Sequence, residues 1–499
     1  MLANSLYRPL VRRTTPWICD RCALRLESSR PRRRWTSTHS ASDASRQNTG
    51  IVDILERRGY LNQITGTRDD LQRILDGKRI GAYVGVDPTA SSMHVGHLIP
   101  FMALFWLYLH GHKAITLVGG GTASVGDPTG RVKARPHLSA AARRRNIDGI
   151  QAQLQRIWGN VSRLGAKHGQ RVGEGEARLL NNEDWLGKTS ILDVLGTVGA
   201  GLRLGVMLGR DTVKTRMTAD ASTQEGMSFA EFCYPVLQAW DWYVMFRDHD
   251  VRVQIGGSDQ YGNILSGADG IKYALKVRED EGDSGALDAH PLGFTVPLLT
   301  TPSGEKFGKS AGNAVWLDKE QTSVFDLYGF FVGLPDSEVE KLLNFFTFLP
   351  QGTISDTMAK HNLAPEKRIA QHLLAREFVE LVHGPEDAAA AQDQHLSRSR
   401  GYTPASKADL QVAYAEVTDK PFAFALHMAG LAESRSKALK LIESGGAYVI
   451  GGNGDAVKIR KGDVVSDAHY FTKEDEKTPS RRFLVLRAGK WKVRSLELV

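Results

Sequence analysis

Between residues 50 and 320 short apolar runs alternate with longer stretches in which apolar positions recur at helical spacing. The runs Ile80–Val86, Lys113–Val118, Val251–Ile255 and Phe294–Leu299 predict strands. Leu98–Leu109, Ala140–Trp158, Ser190–Leu208, Phe229–Arg247 and Gly262–Leu275 predict helices. Strands separated by helices cannot be joined as hairpins, so the expected class is α/β, a parallel sheet covered on both faces. In such folds ligands sit beyond the carboxyl ends of the strands. From 321 to 395 the strand pattern disappears, and Asp336–Phe346 and Pro365–Leu381 predict a separate helical domain. A polar stretch containing Ser397, Ser399, Gly401 and Pro404 reads as a linker over 396–410, before a small α/β domain at 411–499.

The net charge of +8 invites a nucleic-acid reading, but its distribution changes that picture. Residues 1–40 hold nine arginines, no lysine and only two acids, Asp20 and Glu27, giving +7; residues 405–499 carry +4, which leaves −3 for the middle of the chain. The arginines at the start are spread among Ser, Thr and apolar residues, the composition of a mitochondrial transit peptide, and residues 1–42 are therefore set aside from the fold. A basic arm that binds nucleic acid is the alternative for this segment. Cys19 and Cys22 fall inside it with no second Cys/His pair nearby, so neither a zinc site nor a redox motif is expected. Cys233 alone cannot form a disulfide framework, which suits a reducing compartment. No apolar run approaches the roughly 18–20 residues that span a bilayer, so no membrane partner is expected.

Four constellations carry chemistry. Asp87, Pro88 and Thr89 lead into His94, Val95, Gly96 and His97, between a predicted strand and the helix Leu98–Leu109. A turn of this kind presents imidazoles and backbone N–H groups to a phosphate, and Gly96 would let a nucleotide lie against the chain. A glycine loop, Gly119 to Gly121, precedes Gly126, Asp127 and Pro128. On the helix that follows later, the i, i+4, i+7 spacing sets Tyr234, Gln238 and Asp241 on one face. Gly256, Gly257, Ser258, Asp259 and Gln260 close a strand, and Lys306, Gly308, Lys309 and Ser310 follow. Singly, each has a plain alternative: an ordinary turn, a polar patch beside a core, a solvated loop. Their order on one α/β pattern is what gives them weight.

Together they resemble the class I aminoacyl-tRNA synthetases, and among these the tyrosyl-tRNA synthetases of bacterial and mitochondrial type. His94 to His97 resembles the HIGH motif of the class, and Lys306 to Ser310 its KMSKS partner. Tyr83 to Thr89, the Asp127 loop, Tyr234/Gln238/Asp241 and Gly256 to Gln260 resemble the tyrosine-specific set. The segments Asn181 to Leu186 and Gly312 to Leu317 belong to the same likeness, which runs from about residue 50 to the end of the chain.

The resemblance implies a Rossmann-like catalytic domain over 50–320, a helical anticodon-recognition domain over 321–395 and an RNA-binding domain over 411–499. It implies that ATP and L-tyrosine form tyrosyl-adenylate and that tyrosine then passes to tRNA(Tyr), for translation in the mitochondrial matrix, by a homodimer. In-line attack on phosphorus builds charge without requiring a proton donor, so positioned cations and hydrogen-bond donors lower the barrier. His94, His97, Thr89, Lys306 and Lys309 would supply these, with Arg131 and Arg135 as helpers. Asp87, Gly96, Gly257, Asp259 and Gln260 complete the expected ATP site. Mg²⁺ would accompany the ATP, and no dedicated protein metal site is expected. Tyr83 and Asp241 would bind the phenol hydroxyl, while Asp127, Tyr234 and Gln238, with Gln254 close by, would grip the ammonium group. Phenylalanine would strand the buried phenol partners, a penalty of roughly 10⁴–10⁵ for which tyrosyl-tRNA synthetases are themselves the reference case. In the last domain Arg435, Lys437 and Lys440 would face RNA phosphates. A tryptophanyl synthetase shares the fold and the paired motifs, and Tyr83 with Asp241 argues against it. A small-metabolite nucleotidyltransferase and a non-catalytic RNA-binding module are the more distant alternatives. The tRNA-type C-terminal domain argues against the first of these.

Overall fold

The computed structural model describes residues 50–130, 138–170, 172–217, 226–280, 290–299, 314–399, 408–451, 456–475, 478–489 and 492–499. The expected transit segment, Arg131, Arg135, Lys306 and Lys309 lie outside the described residues. Six strands build the first sheet: β1 (Gln63–Ile64), β2 (Gly81–Val86), β3 (Lys113–Val118), β4 (Glu176–Asn181), β5 (Val251–Gly257) and β6 (Leu292–Val296). Their order is β1-β6-β5-β2-β3-β4, parallel except for β1, which runs antiparallel to β6. From β2 the chain winds outward through β3 and β4, then returns to build β5 and β6 on the other side. The carboxyl ends of β2 and β5 therefore flank the point where winding reverses, the place at which folds of this class bind ligands.

Helices cover both faces. Leu98–Leu109 is buried almost throughout its length and packs on one face, where Val84, Val253 and Phe294 join it in the larger core. Phe229–His249 and Tyr261–Asp280 cover the other, with Tyr83, Ile115, Trp242 and Ile264 in a second core. Two strands escape the hydrophobic pattern, β1 and β4, and both lie at sheet edges. Glu176–Asn181 is half solvated and needs no apolar run. The expected helix Ser190–Leu208 is broken into Ile191–Thr197, a 3₁₀ turn at Gly199–Gly201 and Leu204–Leu208. Gly196, Gly199, Gly201 and Gly205 are the cause, because each weakens a helix by about 1 kcal/mol.

The helical segment comprises Val324–Val332, Asp336–Phe346, Gln351–Leu363, Ile369–His383 and Pro385–Ser399. Its last helix corrects the expected linker over 396–410: helical pairing persists through Ser399, and Leu410–Val412 is already a strand. That strand, β7, pairs with β12 (Lys492–Leu498) in a second sheet of order β7-β12-β11-β8-β9, where β8 is Ala447–Ile450, β9 Ala456–Lys458 and β11 Thr478–Ala488; β10 (Phe471–Asp475) also pairs with β11. The helices Phe422–Met428 and Arg435–Glu443 pack on it over Leu484, Leu486 and Leu496. Arg494 joins this domain to the helical one through two hydrogen bonds to the Asp326 carboxylate, 2.9 and 3.0 Å.

Arg58 ties the start of the fold to the helical segment. Its buried guanidinium donates to the carbonyls of Asn344 (3.0 Å), Thr347 (2.9 Å) and Leu349 (2.5 Å) and lies 4.2 Å from the Trp106 ring centroid. Replacing it with Met leaves three carbonyls without their donor. We expect Arg58→Met to cost about 3 kcal/mol or more, read as a lowered urea midpoint.

Candidate active site

The histidine turn begins as β2 ends. His94 is extended, Val95–His97 make one 3₁₀ turn, and Leu98–Leu109 continues as α-helix. The His94 backbone N–H donates to His97 Nδ1 at 3.0 Å, which leaves the neutral ring's proton on Nε2, and the two rings stack at 3.7 Å. Burial holds the His94 imidazole down to about 4, so at neutral pH it is an uncharged hydrogen-bonding group rather than a cation. A second chain segment fastens the turn: Val95 N–H donates to Val315 O (3.0 Å) and Leu317 N–H to Met93 O (2.8 Å), with Trp316 edge-on to His94. Val315, Trp316 and Leu317 thus lie against the histidine turn.

The adjoining strands β2 and β5 carry buried polar groups on one face. Tyr83 and Gln254 are cross-strand partners, both buried, and neither the Tyr83 hydroxyl nor Gln254 Oε1 has a hydrogen-bond partner. Asp241 is buried beside them and accepts from Asn182 Nδ2 (2.9 Å) and Trp185 Nε1 (2.7 Å). Desolvation pushes its carboxyl up to about 7, and burial with the nearby Asp241 charge also raises the Tyr83 phenol. Orphaned buried polar atoms are costly, and two of them on adjoining strands mark where a ligand's polar atoms belong.

Tyr234 donates to Asp87 Oδ2 (2.8 Å) and Thr122 Oγ1 to Asp87 Oδ1 (2.9 Å). Asp87, expected on the nucleotide side, is thereby held by the side chain expected at the ammonium group. Asp127 accepts from the Thr129 backbone and hydroxyl and from Gln260 Nε2 at 2.7 Å. Gln260, expected with ATP, therefore belongs to the same network as Asp127 and Gln238. Asp259 follows on the 3₁₀ turn Ser258–Gln260; a Cβ at Gly257 would lie 2.8 Å from its Oδ1 and 3.0 Å from Leu298. Gly257 thus admits a neighbouring side chain. Gly119 acts likewise, since a Cβ there would come within 2.0 Å of Asp87 Oδ1. Thr89 is half-buried two residues beyond Asp87, and Gly96 is half-buried within the 3₁₀ turn.

Asn182 and Trp185 lay within a recognised segment, yet nothing in their spacing assigned them to Asp241. Asn263, on the helix after Gln260, donates to Gln238 Oε1 at 3.1 Å, and Arg210 donates to Asn263. Sequence gave no signal for Arg210, which stands in no motif. Arg435, Lys437 and Lys440 are exposed on the helix Arg435–Glu443; Arg435 lies over the Phe424 ring and Lys437 pairs with Glu433.

A parallel sheet with a histidine turn at its reversal point and a second fastened loop is the architecture of class I synthetases. Residues 75–398 match the family model of class I tRNA synthetases (W and Y), and 402–499 match the tyrosyl-tRNA synthetase C-terminal domain. The mitochondrial tyrosine–tRNA ligase of Podospora anserina is 40% identical over 485 residues, covering 90% of this chain and 74% of that protein. The rat mitochondrial enzyme is 44% identical over 350 residues, 69% of this chain and 70% of its own. A C-terminally truncated mitochondrial tyrosyl-tRNA synthetase from Aspergillus nidulans superposes with TM-score 0.64 at 47% identity, over 70% of this chain and 94% of that one. The chain belongs to the tyrosyl-tRNA synthetases, the tyrosine branch of class I, which join tyrosine to tRNA with ATP.

Proposed function

We propose that this enzyme seats tyrosine between β2 and β5 with its phenol hydroxyl between Tyr83 and Asp241. The observation that carries this reading is the unpartnered Tyr83 hydroxyl beside a buried carboxylate already fixed by two donors. The ammonium group faces Asp127, Tyr234 and Gln238, with Asp87 setting Tyr234. The tyrosine carboxylate then lies toward the histidine turn, where its oxygen attacks the α-phosphorus of ATP and pyrophosphate leaves. His94, as a neutral group, and His97 donate to phosphate oxygens, and Lys306 and Lys309 supply the charge. Thr89, Gly96, Gly257 and Asp259 form the nucleotide side of the site, with Mg²⁺ carried in on the ATP phosphates. In the second step a terminal ribose hydroxyl of tRNA attacks the tyrosyl carbonyl and AMP departs.

The relatives named mitochondrial, together with the Arg-rich start of the chain, support action in the mitochondrial matrix. A homodimer is supported by a run of exposed apolar side chains in one stretch of the sequence. Leu192 (75% exposed), Leu195, Leu204, Val206, Met217 and Phe229 (82% exposed) all lie between residues 191 and 229. The basic helix Arg435–Glu443 and its domain bind tRNA phosphates. A chain ending at residue 399 should therefore retain tyrosine-dependent ATP–pyrophosphate exchange. In the full chain, tRNA affinity should fall by about 10² or more between 50 and 200 mM salt if several phosphates are neutralised. Exchange lost with the C-terminal domain, or salt-independent tRNA binding, contradicts this division of labour.

A further inference from the structure

We infer that Arg210 is a positioning residue for tyrosine: it fixes which face of the Gln238 amide meets the substrate ammonium group and keeps the Gln260 NH₂ on Asp127. The inference rests on the ammonium site proposed above and adds a residue outside every motif.

Arg210 precedes the short helix Asp211–Met217 and reaches back to the helix Tyr261–Asp280. Its guanidinium donates to Gly262 O (2.7 Å), Ser266 Oγ (2.6 Å) and Asn263 Oδ1 (3.2 Å). Asn263 is 3% exposed, so its amide has no water to turn toward. Amide oxygen and nitrogen are sterically alike, and only their partners decide their orientation. A guanidinium has donors alone, so the Asn263 oxygen must face Arg210 and its NH₂ must face the site. That NH₂ donates to Gln238 Oε1 (3.1 Å), Gln260 Oε1 (3.3 Å) and Thr129 Oγ1 (3.3 Å). Gln260, so oriented, gives its own NH₂ to Asp127 Oδ2 at 2.7 Å, and Gln238 gives its NH₂ to Gln260 Oε1 at 3.3 Å.

Polarity thus runs from one cation through three amides to one carboxylate. Were Asn263 turned over, its oxygen would oppose the oxygens of Gln238 and Gln260. Both would have to turn as well, and Gln260 would set an oxygen against Asp127. An ammonium group has three donors and needs acceptors around it. In the observed orientation Gln238 Oε1 keeps a second lone pair and Asp127 meets a donor rather than another oxygen.

The test compares L-tyrosine with 3-(4-hydroxyphenyl)propionate, which lacks the ammonium group, in Arg210→Gln, Arg210→Lys and the unaltered enzyme. Arg210→Gln should weaken tyrosine about five- to tenfold, the worth of a misaligned hydrogen bond, with the ATP KM and exchange kcat within twofold. The deamino compound should bind equally to all three, and Arg210→Lys, still donor-only, should recover most of the tyrosine affinity. In an Asn263→Ala background Arg210→Gln should add little, because the relay is already cut. Equal loss for both ligands, unchanged or tighter tyrosine binding, or a defect confined to tRNA charging overturns the inference. Asp127→Ala separates the two levels. If it spares tyrosine binding, the proposed ammonium site itself is wrong; if it abolishes binding while Arg210→Gln changes nothing, only the role of Arg210 falls.

Discussion

Asp241→Ala is expected to cut kcat/KM for tyrosine in pyrophosphate exchange by about 10–150-fold, the worth of one hydrogen bond to a charged group. Phenylalanine should lose nothing, since it makes no such bond and is freed from facing a buried carboxylate. The ratio between the two amino acids should therefore collapse, with the ATP KM held within about twofold. Asn182 and Trp185 anchor the carboxylate in the intact enzyme, so the bond is prepaid in orientation before tyrosine arrives. The raised carboxyl adds a pH signature. A protonated Asp241 loses its charge-assisted bond to the phenol, so tyrosine affinity should weaken as pH falls through about 7, by no more than the loss seen in Asp241→Ala. The same titration in Asp241→Ala should be flat. An unchanged preference for tyrosine over phenylalanine in that variant would refute the assignment.

The second large effect belongs to the histidine turn. His94→Ala or His97→Ala removes a donor aimed at charge that develops only during phosphoryl transfer, and losses near 10²–10³ in the activation rate are expected. Tyrosine affinity should move little, because the phenol and ammonium contacts are made elsewhere. His97→Ala also removes the acceptor of the His94 N–H, so its loss should be at least as large as that of His94→Ala. Burial keeps His94 neutral down to about pH 4, so the activation rate should show no ionisation of this residue between pH 6 and 8. A KM effect on tyrosine with an unchanged single-turnover rate would make these histidines binding residues instead.

Much of this was legible in the chain because period and motif coincide at the centre of the sheet. The helix Leu98–Leu109 and the strand Lys113–Val118 fall where their apolar patterns place them, since both are buried and have no polar face to blur them. Edge strands and glycine-broken helices were less visible: β4 needs one covered face only, and the segment from 190 to 208 has helical spacing but too many glycines to stay continuous. The site divides the same way. Tyr83 and Gln254 pair across β2 and β5, and Gln238 and Asp127 meet through Gln260. What the sequence hid was the second layer: Asp87 held by Tyr234, Gln260 bonded to Asp127, and Arg210 orienting Asn263. Those relations depend on which side chains meet across distant segments, and no local spacing records that.

Selection of tyrosine by its hydroxyl and its activation with ATP belong, on this reading, to one site. The most direct measurement is amino-acid-dependent ATP–pyrophosphate exchange by a chain beginning at residue 43, with tyrosine, phenylalanine and tryptophan compared at equal concentration. Exchange driven by tyrosine, and at least a hundredfold slower with the other two, is the predicted result. No exchange with tyrosine, or equal exchange with tryptophan, would contradict it.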